Sequence, residues 1–139
     1  MKQINYFFLD ILEFKKSIPK KSWLIDCIEK ENRIALKIDF MFCSDIYLQQ
    51  LNKKILNHNT LTDVITLDYS FKKYLLGDIF ISIDRVKENA NKYKTSFKKE
   101  LSRVMIHGIL HLIGYNDKSA NEKEIMRKME NKYLQEKKF

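Results

Sequence analysis

The strongest constraint on the fold is a helix that is apolar almost all round. Leu101, Val104, Met105, Ile106, Ile109, Leu110, Leu112 and Ile113 fall almost all round the helical projection of residues 96–113. Ser96 suits the N-cap and Gly114 a C-terminal stop, so the spacing predicts a helix over that span. Such a helix has to be covered by other elements. Yet it carries His107 and His111, whose rings are costly to bury without a polar partner.

The rest of the chain supplies the cover. Ile4 to Leu9 is aromatic and apolar and reads as a strand. Pro19 suits the first turn of a helix running to about Glu31, with Trp23, Leu24, Cys27 and Ile28 on one face. Ile34, Leu36, Ile38, Phe40 and Phe42 alternate with Ala35, Lys37, Asp39 and Met41, the period of a half-buried strand. Ser44 can cap a following helix that places Ile46, Leu48, Leu51 and Ile55 inward and ends near Asn57. Asp63 to Tyr69 and Leu75 to Ile83 are two further strands, able to pair as neighbours across a basic loop holding Lys72 and Lys73. From Asp84 onward helical periodicity dominates, and Ser119 to Glu122 form a capping box that opens the last helix. The order β-α-β-α-β-β-α-α-α predicts an α+β fold, with a small mixed sheet of about four strands packed with helices. At 139 residues, without a linker or an internal repeat, residues 1–139 are expected to form one domain.

Several function classes fall away. The longest apolar runs are about four residues, far short of the ~20 of a membrane helix, so no membrane role is expected. Asn5 and Asp10 interrupt any secretory h-region, which points to the cytoplasm. Cys27 and Cys43 form no C-x-x-C pair and are expected to pack rather than bind metal. The net charge of +8 favours a polyanionic partner. Its excess is C-terminal: residues 87–139 hold 13 basic and 7 acidic groups, against 13 and 11 in residues 1–86.

The chemistry is concentrated in residues 107–117. His107 and His111, four apart on a helix, present both imidazoles on one face. Gly114 lets the chain turn back, and Asp117 can bring a carboxylate to the same point, giving H-x3-H-x5-D. Three protein ligands leave a tetrahedral zinc one open position, the arrangement of a catalytic centre. Zinc peptidases of the H-E-x-x-H type need a glutamate beside the first histidine; here that position is Gly108, so ordinary peptidase chemistry lacks its base. A small residue there is expected to leave room beside the ion for a bulky phosphodiester.

His107 through Tyr115 match, position by position, the H-G-x-L-H-L-x-G-Y-D-H hallmark of the YbeY endoribonucleases, or rRNA maturation factors, and the chain resembles that family. The resemblance extends to Leu51-Asn52, to Thr62-Asp63-Val64-Ile65-Thr66 and to Leu76-Gly77-Asp78-Ile79-Phe80-Ile81-Ser82, and so spans nearly the whole chain. It implies a zinc-dependent, single-strand-specific endoribonuclease acting in maturation of the 16S rRNA 3′ end and in ribosome quality control. Its partners would be ribosomal RNA precursors and ribosomal proteins, and one Zn2+ per chain, or another divalent metal, would be held by His107, His111 and Asp117. Two positions depart from the pattern. Asp117 stands where the family has a third histidine, and Leu56 stands where it has an arginine, with His58 the nearest polar substitute and a weak catalytic candidate. Lys98 and Lys99 are the expected RNA contacts. The alternative is a non-catalytic, metal-stabilised RNA-binding factor in ribosome assembly.

Overall fold

The aromatic and β-branched segments pair into one four-stranded sheet. In the computed structural model, which describes residues 2–56 and 62–137, the elements run β1 (Ile4–Phe8), α1 (Lys21–Lys30), β2 (Ile34–Cys43), α2 (Asp45–Leu56), β3 (Val64–Asp68), β4 (Tyr74–Ser82), α3 (Ile83–Lys92), α4 (Phe97–Ile113) and α5 (Ala120–Gln135). The strands lie in the order β1-β2-β4-β3; β1, β2 and β4 are parallel, and β3 is antiparallel to β4. The α+β class, the mixed sheet and the order of elements all match the sequence expectation. Among the described residues no helix is long and apolar enough to cross a membrane.

The largely apolar helix is where its composition requires it to be. Leu101, Met105, Ile106, Ile109 and Leu110 of α4 share one buried cluster with Ile38, Phe40 and Phe42 of β2, Ile79 and Ile81 of β4, and Leu24 and Ile28 of α1. Each fully buried Leu, Ile or Phe contributes about 1.5–3 kcal/mol, so this cluster dominates the apolar stabilisation. Gly108 has a different reason from the one expected. It is buried against β4, where a Cβ would come 2.7 Å from Cγ2 of Ile79. The position beside His107 on a helix points about 100° away from it, so the missing side chain lets α4 approach the sheet and opens no space at the histidines.

Three further differences have local causes. Ala35 pairs with Leu75 and Lys37 with Leu76, so Leu36 sits at a register shift, and the core face of β2 reads Ala35, Ile38, Phe40 and Phe42. A bulge of this kind depends on the partner strand and interrupts simple alternation. Helix α2 covers the opposite face of the sheet through Leu48 and Leu51, beside Cys43 and Ile65. Ile46 and Ile55, expected inward, are 68% and 48% exposed. Ile46 lies about 200° round the helix from Leu48, off the stripe that meets the strands, whereas Ile55 lies on that stripe in the last turn of α2. Pro19 precedes the helix instead of opening it: α1 starts at Lys21, and the Pro19 carbonyl accepts a hydrogen bond from the Tyr6 hydroxyl at 3.0 Å. Both cysteines are buried free thiols in the packing roles expected of them.

Candidate metal centre and its clefts

Helix α4 ends where the motif requires. Gly114 has φ +121°, a region that glycine adopts far more readily than other residues, and the Tyr115 amide donates back to the Leu110 carbonyl at 3.0 Å. The reversed chain is anchored on both sides. The Tyr115 hydroxyl donates to Glu31 Oε1 at 2.7 Å, and Ser119 and Glu122 form the reciprocal capping box of α5. Asp117 is thereby carried back over the last turn of α4.

Three ligand atoms converge there. Nε2 of His107 and Nε2 of His111 are 3.0 Å apart, and Asp117 Oδ2 is 3.3 Å from each. Zinc ligands at about 2.0–2.2 Å in tetrahedral geometry stand roughly 3.3 Å from one another. The triangle therefore fits one such ion, and a two-nitrogen, one-oxygen donor set suits zinc or another first-row dication. The three side chains are 21%, 26% and 40% exposed, so the remaining coordination face opens to solvent.

Glu130 of α5 fixes the nearer histidine. Its Oε2 lies 2.6 Å from His107 Nδ1, and Arg103 Nη1 binds its Oε1 at 3.0 Å. A carboxylate on Nδ1 keeps the proton on that nitrogen and leaves the Nε2 lone pair facing the ion. Burial opposes the imidazolium, but the hydrogen bond and charge of Glu130 outweigh it and hold His107 above its usual value. Burial likewise opposes the Glu130 carboxylate, and His107 and Arg103 outweigh it in the opposite sense, holding Glu130 below the usual range. This residue was missed from sequence, although one signal was present: a carboxylate in line with Met126 and Tyr133 on the buried stripe of the last helix.

The triad stands between two clefts. One, of about 680 Å³, runs along β3 and includes Asn52, Thr66 and Lys118. The other, of about 330 Å³, lies between α4, α5 and the end of α3 and includes Arg103 and Arg127. Asp63, just before β3, lines both, and burial raises its carboxyl above the ordinary range. Of the two lysines expected at RNA, Lys99 lines a recess beside Arg103, whereas Lys98 lies nearer Lys137 at the outer end of α4. His58 falls outside the described residues.

Comparison with known proteins agrees with the motif. The profile of the family described as Endoribonuclease YbeY matches residues 11–138. The chain is 46% identical over 132 residues to "Endoribonuclease YbeY" of Amoebophilus asiaticus, covering 93% of this chain and 90% of that one. It is 47% identical over 131 residues to the protein of the same name from Karelsulcia muelleri, covering 94% and 93%. The solution structure of TM1509 from Thermotoga maritima is similar in fold, with a TM-score of 0.67 at 27% identity over 96% of this chain and 88% of that one. With its hallmark helix and nearly its whole length in agreement, the chain belongs to the Endoribonuclease YbeY family.

Proposed function

We infer that the protein is a zinc-dependent endoribonuclease that cuts single-stranded RNA in the maturation of ribosomal RNA, at the 16S 3′ end, in the cytoplasm. The observation that carries the reading is the triangle of His107, His111 and Asp117, open to solvent between two clefts, in a chain of this family. A dication there supplies Lewis-acid polarisation of a phosphoryl oxygen and makes a water more acidic. The protein's own contribution is positional. Glu130 holds His107 in the ligating tautomer, the capped turn presents Asp117, and Arg103 and Arg127 set positive charge beside the cleft. Asp63, facing both clefts with a raised carboxyl, is the group placed to take or return a proton at the substrate. Gly108 supplies no base and is filled by Ile79, which argues against peptide hydrolysis.

The test is incubation of metal-analysed protein with single-stranded and structured RNA, beside Asp117→Ala. Cleavage of the single strand that needs the metal and is lost in Asp117→Ala supports the reading, and ribosomal RNA precursor is the substrate to try next. Cleavage unchanged in Asp117→Ala refutes it. Product ends identify the nucleophile, since attack by the 2′-hydroxyl leaves a cyclic phosphate and attack by water does not. Leu56 in the position of the family's arginine favours a second reading, a non-catalytic metal-stabilised factor that binds RNA or a ribosomal protein. That reading predicts that the metal-loaded protein retains RNA without cleaving it.

A further inference from the structure

The cleft on the α5 side of the metal triad continues beyond it. It shares Tyr93, Glu100, Arg103 and Arg127 with a second recess, and that recess shares Lys99 and Arg103 with a third bordered by α5. Together they make one groove along α4, walled by the end of α3 and by α5. Its charge changes with distance from the triad. Asp63, Asp117 and Glu130 cluster at the ion end, whereas the second recess sets Lys99, Arg103 and Arg127 against Glu100 alone.

Tyr93 stands in this basic stretch with its side chain 60% exposed, and Lys92 Nζ lies 5.6 Å from its ring centroid. An exposed ring flanked by cations suits single-stranded nucleic acid, because every base offers a face to stack and every link offers a phosphate. Arg103 is committed to Glu130 at 3.0 Å, but Arg127 is 62% exposed and stands 3.8 Å from the same carboxylate, with room to turn toward a ligand. Burial raises the Glu100 carboxyl above the ordinary range.

We propose that this groove is a nucleotide subsite for one arm of the RNA strand: Tyr93 stacks a base, and Arg127 and Lys99 hold the phosphates on either side of it. The subsite rests on the RNA-cleaving function inferred above and extends it away from the metal. It places the strand across the triad, from the β3 cleft into the α4 groove.

The experiment measures binding of a short single-stranded oligoribonucleotide to the metal-loaded protein by fluorescence anisotropy across a salt series, beside the single-turnover cleavage rate. Tyr93→Ala should weaken binding roughly tenfold at unchanged metal content. Tyr93→Phe should bind like wild type, since stacking needs the ring and not the hydroxyl. Arg127→Gln should lower the slope of log affinity against log salt by about one, while Lys72→Gln, in the loop before β4, should leave affinity within about twofold. Normal cleavage by a protein in which Tyr93→Ala and Arg127→Gln both bind like wild type overturns the subsite and leaves the nuclease reading standing. Binding that depends on Tyr93 without any cleavage does the reverse. A wild-type protein that binds no RNA overturns both.

Discussion

The support given to His107 by Glu130 makes a quantitative prediction about metal affinity. Glu130 is 4% exposed, and its 2.6 Å contact with His107 Nδ1 is a charge-assisted hydrogen bond. Such bonds contribute about 1.5–3 kcal/mol. Loss of a carboxylate behind a metal-bound histidine typically weakens metal binding 10–100-fold, or about 1.4–2.8 kcal/mol, so the two scales agree. Glu130→Gln keeps an acceptor oxygen and should fall near the tenfold end; Glu130→Ala removes it and should approach a hundredfold. Both variants also remove the charged partner of Arg103, whose side chain is only 19% exposed, so both should unfold more easily even without metal. Arg127, at 3.8 Å and largely solvated, adds little to that cost. Because stability and affinity change together, a shift in Tm does not separate them. Competitive titration against a chromogenic chelator, on protein shown to be folded by circular dichroism, does. Metal affinity of both variants within twofold of wild type would refute the positioning role of Glu130.

The remaining predictions concern the ligand turn and the helix that carries it. Asp117→Ala should lose most of the bound zinc because two histidines alone do not close the site, whereas Asp117→His should retain it; a full equivalent of zinc at unchanged affinity in Asp117→Ala would remove Asp117 from the ligand set. Gly108→Ala should destabilise the protein by about 1–3 kcal/mol, because Cγ2 of the buried Ile79 has to move, and denaturant unfolding identical to wild type would show that α4 can lift from the sheet at no cost. Burial and the hydrogen bond to Glu31 push the Tyr115 phenol from 10.0 up to about 12. Its contribution is therefore fully present below pH 10 and is lost as pH rises through about 12. Tyr115→Phe should cost about 1 kcal/mol at neutral pH and remove that alkaline loss; unfolding curves that keep the same alkaline dependence would contradict the assignment.

How much of this was legible in the sequence depends on distance along the chain. His107, His111 and Asp117 lie within eleven residues, and the geometry joining them is that of one helix and its cap, both fixed by local rules. The same holds for the serine caps at Ser44, Ser96 and Ser119, each of which accepts the backbone hydrogen bond its position implies. Where the expectation departed from the structure, the deciding partner was remote. The shift at Leu36 is set by the register of β4, and the exposure of Ile46 by how narrowly α2 meets β3 and β4.

The support of the site follows the same rule. Glu130 meets His107 across 23 residues, and Glu31 accepts hydroxyl hydrogen bonds from both Tyr115 and Tyr133, across 84 and 102 residues. No periodicity carries such pairings. What the sequence could show was the inconsistency: a glutamate on the stripe of Met126 and Tyr133 is a local choice at odds with burial, and a buried carboxylate needs a charged partner. Among the elements α5 packs against, α4 alone offers both a histidine on its exposed face and an arginine one turn earlier, at His107 and Arg103. The misplaced charge in the last helix therefore marks where the metal helix is held.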